Sequence, residues 1–507
     1  MQTKTKSVIS EVMLGLAIWI RGVGISRPAI WYDEAFSLEM SKLPMGVMIR
    51  SLAMDFNPPL WELVLKPFAM ISDHLAWIRL PSLLASIGSL WILWLIMDWM
   101  DATDWQRIWV LALSMLPINI WMAQDARVYA LFQLLYLASI LFAIRHQWLG
   151  FTATVGLMCY AHSLGFIFAA GSLAVALYYS LKWANKKIII QDLFAVIKNK
   201  NDGLPNGSKF KIKLILKIIQ HWAAGMILAM PSLYMLFGGY GGAVISDHWI
   251  PSLTFAYYWQ SIRQALFAQA FGIQWQLFGL VMIISYVLLS LAVSLHILMD
   301  DYVKEPLIIL SGLAYVIPMV GMLVVSLTYH NIIFYRPLAT LSLPLALWLG
   351  SATAPVKIRW YKFVLPGIMA VVIFAGLVGY QPMVKGAELN QAAEIINQGE
   401  GHILYATGSA ALPFSYYVER EGYIADVDQP AGLLQSDLQD VLGYERMDPG
   451  PWASWIVMPR DDLLDPDLER ELDDLISQHY QPVGQLKYWQ QAIIDIYKKT
   501  GSCGCDS

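Results

Sequence analysis

Apolar runs about as long as a bilayer is thick recur along this 507-residue chain, and they restrict its fold more than any other feature. In hydrocarbon every backbone N–H and C=O must be satisfied within the protein, so such runs fold as helices. Composition agrees: 57% of residues are hydrophobic and only 14% charged, against roughly 25% charged in soluble domains. Candidate spans cover residues 9–30, 77–97, 108–122, 128–144, 149–160, 163–181, 214–237, 277–298, 307–327, 337–349 and 363–378. The chain therefore reads as a polytopic α-helical membrane protein with about eleven spans. The first run has no A-x-A-like cleavage site and is expected to stay as the first membrane helix.

Charge divides the chain in two. Residues 381–507 carry 8 Lys/Arg against 21 Asp/Glu, while the remainder carries 26 against 17. This predicts a transmembrane domain over 1–380 and a soluble acidic domain over 381–507, whose length and mixed pattern suit a small α/β fold. Within it, 461–478 reads as an amphipathic helix. Lys4 and Lys6, the nine lysines between 182 and 217, and Lys357, Arg359 and Lys362 fall on one side if the span count is odd. The positive-inside rule makes that side the cytoplasm. The N-terminus is then cytoplasmic. A first outer loop over 31–76, the Gln124–Arg127 turn, His162, the Gly-rich loop from Gly238, the segment 329–336 and the acidic domain then all face outward. Within that first loop, Asn57-Pro58-Pro59 opens a short amphipathic run expected to lie as a helix on the outer membrane surface. Cys159 sits in an apolar run and reads as core. Cys503 and Cys505 are too close for a mutual disulfide, and a lone C-x-C is a weak metal signal.

The densest chemistry lies in Trp31-Tyr32-Asp33-Glu34-Ala35, where the first span is expected to leave the bilayer. Ionisable groups there are costly unless solvated, paired or functional, and the same five residues also suit an ordinary polar loop with an aromatic belt. Other ionisable residues collect at the same face: Arg21, Asp125 and Arg127 with Tyr129, His162, then His330, Tyr335 and Arg336. Outward arginines run against the positive-inside rule. Each could snorkel to the interface. A lipid-linked phosphate would also account for them, because arginine grips phosphate oxygens bidentately. A nearby carboxylate could then deprotonate or orient an acceptor. There is no P-loop, no dinucleotide fingerprint and no sign of nucleic-acid binding.

Several short motifs in order resemble a known family. Ile20-Arg21-Gly22-Val23-Gly24 and Trp31-Tyr32-Asp33-Glu34-Ala35-Phe36-Ser37 resemble the opening of the GT-C membrane glycosyltransferases. The nearest branch is the protein O-mannosyltransferase and aminoarabinose (lipid A) transferase group, similar to glycosyltransferase family 39. Asn57-Pro58-Pro59-Leu60-Trp61, Trp77-Ile78-Arg79-Leu80-Pro81-Ser82, Ala126-Arg127-Val128-Tyr129, Tyr160-Ala161-His162-Ser163 and Tyr335-Arg336-Pro337-Leu338 follow. The resemblance implies a polyprenyl-phosphate sugar donor and an inverting transfer to a lipid, glycan or protein acceptor outside the cytoplasm. By the same resemblance Asp33 is the catalytic carboxylate and Glu34 assists it. Arg127, Arg336 and Arg21 hold the donor phosphate. Tyr32, Asp125, Tyr129, His162, His330 and Tyr335 line the pocket, and Arg79 is structural. Some branches carry a divalent metal at the first-loop acid, which would place it on Asp33. The order Tyr335-Arg336-Pro337 departs from the family's usual Arg-Tyr.

A transporter or lipid flippase is the main alternative. Such proteins place polar groups near the bilayer midplane in broken helices and inverted repeats, whereas here they gather at one face and no repeat is visible. A structural subunit with a partner-binding tail is a third reading, and it leaves Asp33, Glu34, Arg127 and Arg336 unexplained.

Overall fold

The computed structural model describes residues 8–54, 57–183, 206–237, 252–267, 288, 306–329, 331–352, 389–418, 422–426, 445–460, 466–487 and 493–500. The expected spans at 277–298 and 363–378, the Gly-rich loop from Gly238, His330, Cys503 and Cys505 lie outside the described residues. The chain divides into two compact units. Met1–Val23, Pro81–Tyr234 and Asp247–Gln381 form the first, and Gly24–Leu80, Met235–Ser246 and Pro382–Ser507 the second.

Every described secondary-structure element of the first unit is a helix. Three of its helices, at Leu80–Trp99, Gly165–Lys182 and Pro306–Thr328, are long and apolar enough to cross a membrane. Shorter apolar helices cover Tyr129–Ile144, Trp148–Ala161 and Ser342–Ser351. Glycine and proline shorten several expected spans. The helix Val8–Gly22 stops well before residue 30, because Gly24 takes a left-handed φ of +75°, a common way to end a helix. The run 108–122 is two helices, Asp104–Ser114 and Pro117–Ala123. Leu116 precedes a proline and is held extended (φ −54°, ψ 144°). The run 214–237 breaks before Pro231 into Asn206–Leu228 and Met230–Phe237. The run 337–349 breaks before Pro344 into Tyr335–Thr340 and Ser342–Ser351.

Pro318, by contrast, sits inside a helix that continues through it. Lacking an N–H, it leaves the Ala314 carbonyl four residues back without its helical donor. Tyr136 of a neighbouring helix supplies the missing bond, its hydroxyl donating to Ala314 O at 2.6 Å. Gly171 makes the room: a Cβ there would meet Tyr136 Oη and Pro318 Cγ. One sequence-distant triplet thus satisfies a backbone group that the bilayer could not.

The second unit contains a mixed six-stranded sheet. Its strands are β1 (Ile403–Thr407), β2 (Gly422–Asp426), β3 (Glu445–Arg446), β4 (Trp455–Arg460), β5 (Tyr480–Lys487) and β6 (Ile493–Lys499), in the order β3-β2-β1-β4-β6-β5. β1, β2, β3 and β4 run parallel, and β6 pairs antiparallel with both β4 and β5. β1 is buried along its whole length, as a strand covered on both faces must be. Ile403, Tyr405 and Val457 pack with Leu389, Ile396 and Phe414 on one face. Leu404, Ile456 and Met458 pack with Leu472 and Ile476 on the other. The acidic helix is Pro466–His479, with Leu472 and Ile476 inward.

Residues 24–80 belong to this same unit. The segment expected as a loop with one surface helix holds four, at Tyr32–Lys42, Met45–Met54, Leu60–Ala69 and Leu75–Ile78. The helix expected after Pro58 and Pro59 is Leu60–Ala69, with Pro59 at its N-cap. Lys66 Nζ donates to the carbonyls of Ser41 (3.0 Å) and Leu43 (2.6 Å). This places a cation at the C-terminal end of helix Tyr32–Lys42, where the backbone carries partial negative charge. Ser37 Oγ donates to the buried Glu62 carboxylate at 3.0 Å, so the two helices are joined along their length.

Candidate functional site

In the second unit the chemistry starts at the N-terminus of helix Tyr32–Lys42. Trp31 is the N-cap, in an extended conformation, and Asp33 and Glu34 fall in the first turn, where carboxylates complement the exposed N–H groups. Consecutive helical residues project about 100° apart, so the two acids cannot share an environment. Glu34 points inward and is fully buried. Arg79 grips it bidentately, Nε to Oε1 at 2.8 Å and Nη2 to Oε2 at 2.7 Å, with neither side chain exposed. The remaining Arg79 donors hold the chain that leads to the helix: Nη1 donates to Ile25 O (2.9 Å) and Pro28 O (2.8 Å), and Nη2 to Ala29 O (3.2 Å). Asp33 and Tyr32 stay partly exposed beside this anchored core.

Two neighbouring tyrosines of the C-terminal domain meet the same segment. Tyr417 Oη accepts the Ile30 N–H at 2.8 Å, and the Tyr416 hydroxyl donates to the Asp73 carbonyl. Their rings pack edge to face, with centroids 4.9 Å apart. Burial pushes both phenols up to about 12. At the other end of the helix, Lys42 bridges Glu39 (2.9 Å) and Asp73 (3.1 Å). Burial is the main cause that raises the Glu39 carboxyl above its ordinary range.

In the first unit a separate constellation surrounds the turn between helices Pro117–Ala123 and Tyr129–Ile144. Gln124 closes the first of these and donates to the carbonyls of Arg21 (3.0 Å) and Val23 (2.9 Å). The turn is tight, with Arg127 N donating to Asp125 O at 2.7 Å. Asp125 is buried and Arg127 half-buried. His162 caps helix Trp148–Ala161. Its Nδ1 accepts the Leu164 N–H at 3.1 Å, which leaves the proton of a neutral ring on Nε2. The ring lies beside Tyr129 (5.8 Å) and Phe132 (5.5 Å). Arg336 is buried, and its Nε donates to Tyr335 Oη at 2.8 Å. Its guanidinium carbon stands 5.4 Å from the Tyr335 ring centre and 5.9 Å from that of Phe334. Trp121 connects these groups, 6.5 Å from Tyr129 and 6.0 Å from Tyr335. Gln133 fixes the end of the arginine-bearing helix by donating to Thr340 O at 3.2 Å.

The structure thus brings Tyr129, His162, Tyr335 and Arg336 into one aromatic cluster, next to the Asp125–Arg127 turn. Trp121 is the member sequence reasoning missed, since an indole inside an apolar run among 21 tryptophans carries no distinguishing signal. Two expectations need correction. Arg21 does not reach for a phosphate. It is fully buried, with Nε on Ser86 Oγ (2.9 Å), Nη1 on Ala17 O (2.6 Å) and Nη2 on Ser114 O (2.7 Å). Glu34 is committed to Arg79 rather than open to a substrate. Among the described residues no three His, Cys, Asp or Glu side chains gather into a cluster that could hold a metal ion.

No protein-family model matches the chain, and no curated protein matches it in sequence. Its fold is similar to solved structures of ArnT from Cupriavidus metallidurans. Against the form bound to undecaprenyl phosphate, the TM-score is 0.53 at 10% identity, covering 96% of this chain and 97% of that one. Against the apo form it is 0.54 at 11% identity, with the same coverage. The chain therefore has an ArnT-like fold, with apolar helices long enough to cross a membrane and a small C-terminal sheet.

Proposed function

We propose that this protein is an integral-membrane glycosyltransferase. It moves a sugar from a polyprenyl-phosphate donor to a lipid, glycan or protein acceptor outside the cytoplasm. The N-terminus lies in the cytoplasm and the C-terminal domain beyond the membrane. The observation that carries this reading is the division of labour between two adjacent carboxylates. Arg79 withdraws Glu34 into a buried pair and leaves Asp33 as the partly exposed acid on the same helix turn. Such an arrangement suits a general base held on a rigid support. A fold alone does not fix an activity, but ArnT was crystallised with undecaprenyl phosphate, and a donor of that class suits the arginines here.

In the reaction, an acceptor oxygen or nitrogen attacks C1 of the sugar and passes its proton to Asp33. The C1–O bond to phosphate breaks on the opposite face, and its electron pair leaves with the polyprenyl phosphate. The configuration at C1 inverts. Arg127 and Arg336 hold the departing phosphate, where positive charge counts most as negative charge develops. Tyr129, His162 and Tyr335 shape the wall beside these arginines, and Tyr32 flanks Asp33. Glu34 orients the Asp33 turn through Arg79. Arg21 is left out of the phosphate set, and no step is routed through a metal.

The test uses purified protein in lipid with a panel of radiolabelled polyprenyl-phosphate sugars. Wild type is compared with Asp33→Asn, Arg127→Ala and Arg336→Ala. Donor turnover by wild type, lost by about 10²-fold or more in folded Asp33→Asn, supports the reading. Full turnover in Asp33→Asn removes it as the base. Equal donor binding by wild type and both arginine variants moves the weight to a transporter.

A further inference from the structure

The segment that delivers Asp33 is held from two directions. From inside, the Arg79 guanidinium takes the carbonyls of Ile25, Pro28 and Ala29. These three contacts fix acceptors only. The next backbone donor, the Ile30 N–H, is taken by Tyr417 Oη at 2.8 Å. Ile30 and Trp31 are both buried, so this amide has no access to solvent that could replace the phenol. The Tyr417 backbone is itself secured, with its N–H on Phe414 O at 2.9 Å and its carbonyl on Asn397 Nδ2 at 2.9 Å. The helix Gly408–Ser415 that leads into Tyr416 and Tyr417 follows β1 directly, and Ala411 and Phe414 are buried in the core of the sheet domain. The position of the phenol is thus set by the sheet. Tyr416 adds a second contact to the same segment, its hydroxyl donating to the Asp73 carbonyl, beside the Lys42–Asp73 pair.

We infer that Tyr417, with Tyr416 in support, is a positioning residue for Asp33, through which the C-terminal domain sets the register of the helix turn that carries the base. Tyr417 touches neither reactant. It acts through the Ile30 amide, three residues before Asp33. The role of Asp33 rests on the glycosyltransferase reading above, while the clamp itself rests only on the contacts just described.

The test uses full-length protein in nanodiscs and the variants Tyr417→Phe and Tyr416→Phe. Tyr423→Phe serves as a control, because its ring packs on His402 and Trp452 within the domain. Two quantities are measured. One is hydrogen exchange of the peptide covering residues 25–31. The other is kcat and KM for the polyprenyl-phosphate sugar that wild type turns over. The inference expects faster exchange of that peptide in Tyr417→Phe, and a kcat lowered on the order of tenfold with an unchanged donor KM, because small misplacements of a reacting group cost rate rather than binding. Tyr416→Phe should show the same pattern more weakly, and Tyr423→Phe neither effect. Wild-type exchange in Tyr417→Phe overturns the clamp. Faster exchange with wild-type kcat overturns the positioning role while leaving the clamp standing. If wild type turns over no donor even with lipid, glycan and peptide acceptors supplied, the glycosyltransferase reading fails and the exchange data alone decide the clamp.

Discussion

Substituting Arg79 with Met keeps an apolar stem of similar reach and deletes the guanidinium. Glu34 then loses both of its short hydrogen bonds at a position where neither partner is exposed. Removing one member of a buried pair costs about 3–5 kcal/mol, because the other charge is left in a poor solvent. The carbonyls of Ile25, Pro28 and Ala29 lose their shared donor at the same time. Against a total stability of about 5–15 kcal/mol, this is a large fraction. The converse change is milder. Glu34→Leu leaves the guanidinium with three carbonyl acceptors, so it should cost clearly less than Arg79→Met. The double variant Arg79→Met/Glu34→Leu has no orphaned charge and should recover the part of the loss that comes from the stranded carboxylate, while the three carbonyls still lack their donor. The four proteins form a double-mutant cycle, read as unfolding free energies in mixed micelles with graded SDS. A double variant whose loss is the sum of the two single losses would refute the pairing argument. So would Arg79→Met within about 0.5 kcal/mol of wild type, the spread of ordinary surface substitutions.

Two further predictions come from the same kind of contact. Tyr136→Phe removes the hydroxyl that serves Ala314 O and should cost about 1–2 kcal/mol. In a Pro318→Ala background residue 318 regains an N–H for that carbonyl, so the same change should cost little, and an equal cost in both backgrounds would disprove the exchange of donors. The second concerns alkaline pH. Burial raises the phenols of Tyr416 and Tyr417 from 10.0 to about 12, so the folded state disfavours their ionisation. Their contribution is complete below pH 10 and is lost as pH climbs towards 12. Unfolding free energy of wild type should fall across that window, and less steeply in the Tyr416→Phe/Tyr417→Phe double variant. Equal slopes would show that these phenols do not carry the loss.

Much of the fold was legible because its cause is local. Apolar runs name the membrane helices, but they read straight across the interruptions that lie one to three residues before Pro117, Pro231 and Pro344. The Asp125–Arg127 turn also stands out, as polar residues between two apolar stretches. What stayed hidden depends on partners far along the chain. Nothing in Asp33-Glu34 says which acid is buried, since Arg79, 45 residues away, makes that choice. Arg21 looks like an outward arginine until the carbonyl of Ser114, 93 residues away, claims it. Helix Tyr32–Lys42 went unseen because it buries Glu34, Ser37 and Ser41 along with its apolar residues, so no clean apolar stripe announces it.

The clamp on residues 24–80 also has a history. Ile30 and its acceptor Tyr417 are 387 residues apart, and a ribosome adding about 5–20 residues per second needs roughly 20–80 s to make the second after the first. Throughout that interval the first membrane helices can insert, while the Asp33 segment lacks the surface it docks on. The contacts that settle it carry the highest loop-closure cost of any described here. A chain released before its last quarter is made would hold its helices in the bilayer while the Ile30 amide still lacked its Tyr417 acceptor.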